Sequence, residues 1–199
     1  MYKIAILGKA NSGKNTIAKL IVKSLIESDG EMQKFIYAFA DPIKEMLRLM
    51  FPDIPKKHIY GSSKFRNSVI NGAKNKNGEP LTIRQALLDI GTELGRSYKD
   101  SVWLDAFGHR CEKIKNKNSI IIVPDLRFIN EFNYLQDRKF FIIKVNRDNI
   151  TKINHTSETE QESISDNKFN YVVNNNGTVS ELKEIVKNKI LPKIKDFNQ

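Results

Sequence analysis

A glycine-rich turn between two apolar runs is the feature that most constrains how this chain can fold. The turn reads Gly-Lys-Ala-Asn-Ser-Gly-Lys-Asn-Thr from Gly8 to Thr16. It follows the apolar run Tyr2–Leu7 and precedes the amphipathic run Ile17–Ile26, which gives the order strand, turn, helix that a phosphate-binding loop needs. Glycines let the backbone curve so that successive N–H groups point at an anion. The new helix adds the positive end of its dipole.

Within this turn, Lys14 is expected to bring a mobile positive charge to the outer phosphates of a nucleotide. The residue after such a lysine is usually Ser or Thr, whose hydroxyl helps to hold magnesium. Here that residue is Asn15, and a hydroxyl follows only at Thr16. The sequence therefore predicts a nucleotide site made by Gly8, Ala10, Asn11, Ser12, Gly13, Lys14, Asn15 and Thr16.

Length, charge and cysteine content narrow the class of protein. A chain of 199 residues suits one α/β domain with a full core. No apolar run approaches the ~20 residues of a membrane span, so no membrane association is expected. Cys111 is the only cysteine, which excludes an internal disulfide and fits a reducing cytosol. The net charge of +10 comes from scattered lysines, which favours small anionic ligands over stable binding of nucleic acid.

Apolar runs alternate with helical patterns along the whole chain. This alternation predicts an α/β fold with a five-stranded, mostly parallel sheet and helices on both faces. The predicted strands are Tyr2–Leu7, Phe35–Phe39, Ser119–Val123, Phe140–Val145 and Tyr171–Val173. The predicted helices cover about 13–28, 41–50, 82–98, 102–115 and 130–136, with a last one near the C-terminus.

The region from Asp53 to Pro80 is polar and rich in glycine and lysine, and it reads as an insertion or a mobile loop. The next helix has an apolar stripe, and two glycines one turn apart suggest that something approaches its backbone closely. The opposite face of this helix carries side chains that can bind a base edge or a monophosphate. The alternative is that these side chains only face solvent. The stripe is Ile83, Leu87, Ile90 and Leu94; the glycines are Gly91 and Gly95; the polar set is Arg84, Gln85, Asp89, Thr92 and Arg96.

Asp125 lies at the carboxyl end of the Ser119–Val123 run, where ligands bind in open α/β sheets. A carboxylate there can hold magnesium through water, because this ion keeps several waters and needs few protein ligands. Arg127 follows two residues later, and an arginine fork suits the transferred phosphoryl group. The two side chains could equally pair with each other.

Several further motifs occur in a fixed order, and together with the turn they resemble the phage-type deoxynucleoside monophosphate kinases. The motifs are Phe39-Ala-Asp-Pro-Ile-Lys44, Gly91-Thr-Glu-Leu-Gly-Arg96 with a later Trp103, Asp125-Leu-Arg-Phe-Ile-Asn-Glu131, His155-Thr-Ser-Glu158 and Asn175-Asn-Gly177. The resemblance implies a single P-loop kinase domain over 1–199. It also implies an acceptor-binding insertion at about 53–115 and a lid at about 147–167. The implied reaction moves the γ-phosphoryl group of ATP to a deoxynucleoside monophosphate, with Mg²⁺.

The resemblance also implies roles for individual residues. Lys14, Arg127 and Asp125 would be catalytic, and Asn15 and Asp125 would face the magnesium ion. Asn15 stands where the family more often has Asp, and an amide cannot carry that charge. Beyond the turn, ATP would contact Arg147, Asn175 and Gly177. The acceptor would contact Asp41, Lys44, Arg66, Arg84, Gln85, Thr92, Arg96 and Trp103.

Two other classes of protein are also compatible with the sequence. One is another small-acceptor kinase with the same loop, of the dephospho-coenzyme A or phosphomevalonate type. The other is a nucleotide switch or a nucleic-acid-linked ATPase, although the guanine-reading Asn-Lys-x-Asp of switches does not occur. The expected partners are small-molecule nucleotides, a homodimer is left open, and the expected location is the cytoplasm, or the host cytoplasm if the chain is viral.

Overall fold

The structure is a computed structural model that describes residues 1–148 and 163–198. The chain divides into two compact units. The sheet unit comprises Met1–Ala38 and Cys111–Gln199, and the helical unit comprises Phe39–Arg110. The predicted insertion at about 53–115 stays a prediction, and most of the predicted lid lies outside the described residues.

Strands and helices alternate along the described chain. The strands are β1 (Tyr2–Gly8), β2 (Gln33–Ile36), β3 (Val69–Lys74), β4 (Pro80–Thr82), β5 (Ser119–Leu126), β6 (Phe141–Asn146) and β7 (Tyr171–Asn174). The α-helices are α1 (Lys14–Asp29), α2 (Asp41–Met50), α3 (Lys56–Tyr60), α4 (Ile83–Leu88), α5 (Gly95–Tyr98), α6 (Val102–Glu112), α7 (Ile129–Asp137), α8 (Val179–Ile185) and α9 (Leu191–Phe197). Two π-helical turns (Asp89–Leu94 and Val186–Ile190) and two 3₁₀ turns (Ser63–Asn67 and Asp166–Lys168) complete the set. Among these helices, none is both long and apolar enough to cross a membrane.

The sheet unit is built on five strands in the order β2-β5-β1-β6-β7, and every neighbouring pair is parallel. This confirms the predicted α/β fold with a five-stranded parallel sheet. The second strand was predicted at Phe35–Phe39, which is too far along the chain. Strand β2 ends at Ile36, and Phe39 belongs to the helical unit. The central strands are largely apolar, since helices cover both faces of a parallel sheet.

Helix α1 covers β1 with the predicted apolar face. Ile17, Ile21 and Leu25 are fully buried and pack with the core residues of β1, β5 and β6. The C-terminal helices complete the same core through Leu182, Val186, Ile190 and Ile194. This packing fixes the start of α1, and with it the position of the turn that precedes the helix.

Strand β5 runs past its predicted end at Val123 and continues to Leu126. Proline has no N–H to donate to the ladder, and Pro124 coincides with a bulge in β5. Ala5 of β1 pairs with Val123, whereas Leu7 pairs with Leu126. One extra residue of β5 is therefore accommodated at Pro124-Asp125, and bulges of this kind re-aim side chains.

In the helical unit, α2 begins at Asp41, as predicted. The cap position is Ala40, and Asp41 lies in the first helical turn. Its carboxylate accepts a hydrogen bond from Lys44 Nζ at 3.1 Å and lies 3.8 Å from a guanidinium nitrogen of Arg110. Asp41 therefore serves as an ion-pair partner in this unit.

The polar region after Pro52 is structured, which corrects the interpretation of a mobile loop. It contains α3, a 3₁₀ turn and the antiparallel hairpin of β3 and β4. Asn75 closes the hairpin, because its Oδ1 accepts the backbone N–H groups of Asn77 and Glu79 at 2.9 and 3.0 Å. Gly78 supplies the left-handed backbone that the turn requires, with φ 82°.

The predicted helix over 82–98 forms, but a π-helical turn at Asp89–Leu94 shifts its phase. Leu94, predicted to face the core, is 57% exposed, and Gly95 is buried instead. Trp103 fills the space beside Gly95 and donates its indole N–H to Gly91 O at 2.7 Å. The close approach predicted from the two glycines is thus confirmed, and the approaching group is Trp103.

We predict that Gly95→Ala destabilises the protein by about 1–3 kcal/mol, because a Cβ there would lie 2.2 Å from Trp103 Cζ2. The same change in the interior of an exposed helix normally stabilises the helix by ~1 kcal/mol. Urea unfolding gives the measurement, with Glu93→Ala on the exposed face of the same helix as the control. A Gly95→Ala variant at least as stable as wild type would show that the packing is loose.

Candidate active site

The predicted phosphate loop lies at the carboxyl edge of the sheet, directly after the central strand β1. Its first residue, Gly8, is the parallel partner of Val145 in β6, and Leu7 is the partner of Leu126 in β5. The ends of the two flanking strands therefore border the loop. In open α/β folds this edge is where ligands bind.

The backbone of the loop has the shape that an anion cradle needs. Asn11 (φ 62°) and Gly13 (φ 102°) are left-handed, and Ser12 lies between them. Alternation of left- and right-handed residues turns successive N–H groups toward one side. Gly8 is required for space, since a Cβ there would lie 2.6 Å from Val145 O and 2.7 Å from Ser12 Oγ.

Helix α1 starts without a side-chain cap. Its cap is Gly13, which has no side chain to accept hydrogen bonds from the first N–H groups, and the first turn holds no acidic residue. The first four N–H groups of a helix need acceptors, and an anion is a favourable one. Lys14, Asn15 and Thr16 occupy this first turn, and Asn15 is exposed.

The Lys14 side chain folds back over the loop. Its Nζ donates to Gly8 O at 2.5 Å and to Lys9 O at 2.7 Å. These two bonds hold the ammonium group at the carbonyl oxygens that begin the loop. Ser12 is fully buried, and its Oγ makes no hydrogen bond.

A buried glutamate shapes the loop that follows β5. Glu131, 4% exposed, accepts the backbone N–H groups of Arg127 and Phe128 on its Oε2 at 2.9 and 3.2 Å. These bonds fix the path of the chain between Asp125, which is half-buried, and the start of α7. The Arg127 side chain is exposed at this edge.

The turn after β7 also reaches the phosphate loop. Asn175 is buried, and its Nδ2 donates to Ser12 O at 2.8 Å. Gly177 is required by the next helix cap, because a Cβ there would lie 2.2 Å from Glu181 Oε2. That carboxylate accepts the Thr178 backbone N–H at 2.6 Å, and this hydrogen bond lowers the pKa of Glu181. Arg147, at the end of β6, is exposed.

Within the sheet unit, the structure thus gathers the predicted ATP and catalytic residues at one edge. The loop from Gly8 to Thr16 lies there with Asp125 and Arg127, and the ends of β6 and β7 bring Arg147, Asn175 and Gly177. The motif His155–Glu158 lies outside the described residues. The roles of these residues stay predictions.

The predicted acceptor residues belong to the helical unit, and many already have partners there. Their described contacts join Lys44 to Asp41 at 3.1 Å, Arg84 to Asn67 at 2.8 Å, Gln85 to Asp89 at 2.7 Å and Arg96 to Asp100 at 3.7 Å. Thr92 is exposed and Arg66 is half-buried. Trp103 lies in the hydrophobic core of this unit, so its placement gives it a packing role.

A metal ion bound in this region would have few protein ligands. In residues 1–148 and 163–198, no cluster of three or more His, Cys, Asp or Glu could hold a metal ion. One half-buried carboxylate, Asp125, beside an anion cradle fits an ion such as Mg²⁺, which keeps most of its waters. Cys111 offers no nucleophile, since burial raises the pKa of its thiol to about 11.

Two contributors to these sites were missed at the sequence level. Glu131 was given no role of its own, although its place at the third residue of a helix after a strand is a capping signal. Arg110 was not considered, yet it bonds Glu45 at 2.8 Å and lies near Asp41. No spacing in the sequence points to Arg110, because Glu45 is 65 residues away.

We predict that Glu131→Ala destabilises the protein by about 1–3 kcal/mol, because two backbone N–H groups lose a charged acceptor. Thermal or urea unfolding gives the measurement. Asn133→Ala, on the exposed side of the same helix, is the control and should change stability by less than about 0.5 kcal/mol. Equal effects of the two substitutions would mean that the Glu131 hydrogen bonds contribute nothing.

Comparison with known proteins agrees with this arrangement. The sequence model of the family "Deoxynucleotide monophosphate kinase" matches residues 61–186, which is more than half of the chain. A curated protein of Acanthamoeba polyphaga mimivirus, named "Putative deoxynucleotide monophosphate kinase", is 28% identical over 192 residues. This match covers 91% of the present chain and 92% of the viral protein. The chain belongs to the deoxynucleotide monophosphate kinase family.

Proposed function

We propose that this protein transfers the γ-phosphoryl group of ATP to a deoxynucleoside monophosphate, giving ADP and a deoxynucleoside diphosphate. The observation that carries this proposal is the anion cradle at the end of β1, in a chain of the deoxynucleotide monophosphate kinase family. A mononucleotide acceptor is the class of substrate that the family name indicates.

At the ATP end, the backbone N–H groups from Gly8 to Thr16 bind the phosphate chain. Lys14 leaves the carbonyl groups of Gly8 and Lys9 and binds the outer phosphates. The segment from Asn175 to Gly177 packs on the adenine, and Arg147 contacts the nucleotide from the end of β6. Positive charge and fixed N–H groups stabilise the charge that spreads over the transferred group.

Magnesium bound with ATP would neutralise phosphate charge. Asp125 would hold it through water, and Asn15 would face it from the first turn of α1. The bulge at Pro124-Asp125 supports this role, because it places the carboxylate out of the regular alternation of β5. Asn15 supplies an amide oxygen in place of the more usual hydroxyl or carboxylate, so the protein would contribute little charge to the ion.

The acceptor binds to side chains of the helical unit. Arg66, Arg84 and Arg96 offer guanidinium groups for the monophosphate, and Lys44 with Asp41 forms a further charged pair. Gln85 and Thr92 offer hydrogen bonds to the base or sugar. We leave Trp103 out of this set, because its ring is 7% exposed and its N–H is bound to Gly91 O.

Phosphoryl transfer requires that water be kept from the reacting phosphate, since otherwise ATP is hydrolysed. A lid at about 147–167 is part of the proposal for this reason. The protein would act on free nucleotides in the cytoplasm without stable binding of nucleic acid.

A panel of acceptors tests the proposal most simply. Purified protein, ATP and Mg²⁺ are incubated with each common deoxynucleoside and ribonucleoside monophosphate, and ADP release is followed. Turnover with at least one deoxynucleoside monophosphate is expected. Turnover only with dephospho-coenzyme A or phosphomevalonate, or hydrolysis that depends on added DNA, would contradict it.

We predict that Lys14→Ala lowers phosphoryl transfer at least ~100-fold through loss of transition-state charge stabilisation. The rate of ADP release under saturating acceptor is the measurement. Lys19→Ala removes an equal charge from the exposed side of α1 and should leave the rate within about twofold. Near-normal turnover of the Lys14 variant would refute its role.

Arg127→Ala should lower kcat at least ~10-fold while changing the Kd for ATP less than about threefold, because its guanidinium binds the phosphoryl group mainly during transfer. Kinetics and direct titration with ATP separate the two quantities. Arg138→Ala, an exposed arginine at the end of α7, is the matched control. An unchanged kcat for the Arg127 variant would favour a purely structural ion pair.

A further inference from the structure

The contact between Asn175 and the phosphate loop joins residues that lie 163 positions apart in the chain. Asn175 is 7% exposed, and its Nδ2 donates to Ser12 O at 2.8 Å. The same Nδ2 would lie 2.3 Å from a Cβ placed on Gly13. The carboxamide therefore fills the space that a side chain at Gly13 would occupy.

Asn175 is itself held firmly in place. Its backbone N–H donates to Asn146 O at 2.8 Å, which continues the pairing of β6 with β7. The next residue, Asn176, exchanges two hydrogen bonds with Asp148: Asp148 N–H donates to Asn176 Oδ1 at 2.8 Å, and Asn176 Nδ2 donates to Asp148 Oδ2 at 2.7 Å. The carboxamide cannot leave Ser12 by a simple loop movement without breaking these bonds.

The direction of the Ser12 carbonyl decides where the next N–H points. In a trans peptide the C=O and the following N–H point in opposite directions, and the described chain has no cis peptide. When Asn175 holds Ser12 O on its own side, the Gly13 N–H is turned to the other side. An N–H with this fixed direction is part of an anion cradle.

The chemistry at this position is selective for an amide. Ser12 is fully buried, so water cannot easily replace a lost donor to its carbonyl. A carboxylate in place of the carboxamide would face a carbonyl oxygen with a second acceptor and repel it. A protonated carboxyl group, in contrast, could donate the missing hydrogen bond.

We propose that Asn175 is a positioning residue that fixes the Ser12–Gly13 peptide in its phosphate-binding orientation before the nucleotide arrives. This proposal rests on the proposed function, since it assigns the loop to ATP. It differs from the adenine-packing role, because the side chain acts on the phosphate loop through its backbone. A cradle that is already in place binds its anion without the cost of ordering it.

Asn175→Asp tests the proposal. At pH 8 the variant should bind ATP at least ~10-fold more weakly than wild type, because the donor is lost and a carboxylate repels Ser12 O. On acidification toward pH 5.5 the ratio of the two Kd values should shrink, because a carboxyl group in a buried site has a raised pKa and becomes a donor when protonated. Isothermal titration with ATP at several pH values gives both numbers.

Asn174→Asp is the matched control. It adds the same charge one residue earlier on an exposed side chain, and it keeps the Oδ1 that accepts from Asn146 at 3.4 Å. Its Kd should stay within about twofold of wild type at every pH. Equal weakening in the two variants would show that charge alone is responsible and would overturn the proposal, as would an unchanged Kd in Asn175→Asp.

Hydrogen exchange in the ligand-free proteins provides a readout that does not need ATP. The amides of residues 11–14 should exchange faster in Asn175→Asp and in Asn175→Ala than in wild type, while the amides of β1 stay unchanged. If wild type binds no ATP, the proposed function fails, and this comparison alone decides the role of Asn175. Equal exchange of residues 11–14 in all three proteins would contradict that role.

Discussion

The rest of the sheet unit depends on one constraint, the direction of a few backbone N–H groups. These groups lie where the central strand β1 becomes helix α1. An anion cradle is built from main-chain groups, so its affinity for an anion depends on how firmly the surrounding structure holds the turn. The buried core of β1, α1 and the C-terminal helices fixes both ends of that turn. Between those ends, glycine at positions 8 and 13 allows a close approach and a left-handed bend that other residues would resist.

Three side-chain contacts hold the loops around this turn. Glu131 binds the backbone after β5, Asn175 binds the phosphate loop, and Asn176 with Asp148 ties the end of β6 to the turn after β7. The first of these contacts acts within the loop after β5, and the other two join the turn after β7 to the phosphate loop and to the end of β6. Carboxylate and carboxamide groups thus hold the backbone of the loops that carry Lys14 and Arg127.

Local patterns were sufficient to predict much of this fold. The glycine-rich turn between strand and helix, the five strands, the apolar face of α1 and the close approach at Gly91 and Gly95 all follow from spacing over a few residues, and the structure confirms them. The spacing of apolar residues gave a wrong prediction where the helix departs from 3.6 residues per turn. The π-helical turn at Asp89–Leu94 exposes Leu94, which a regular helix would bury. The hairpin of β3 and β4 was missed because its strands are short and are joined by a polar, glycine-containing turn, so that the region resembles a loop.

The partners of buried polar groups could not be predicted in the same way. Asn175 meets Ser12, and Trp103 meets Gly91, only because tertiary packing brings distant parts of the chain together. Glu131 carried a capping signal, but the backbone groups that it binds were not predicted, and Trp103 was predicted to bind a ligand whereas it lies in a core. Residue types and local order thus indicate the chemistry, whereas the supporting contacts require the fold.

The most direct measurement is a crystal structure of the protein with Mg²⁺ and a non-hydrolysable ATP analogue. The triphosphate should lie in the turn from Gly8 to Thr16, with Lys14 Nζ moved from the carbonyl oxygens of Gly8 and Lys9 to the β- and γ-phosphates. The Asn175 bond to Ser12 O should be unchanged. A turn that stays empty, or a nucleotide bound elsewhere on the sheet unit, would contradict the proposed phosphoryl transfer at its first step.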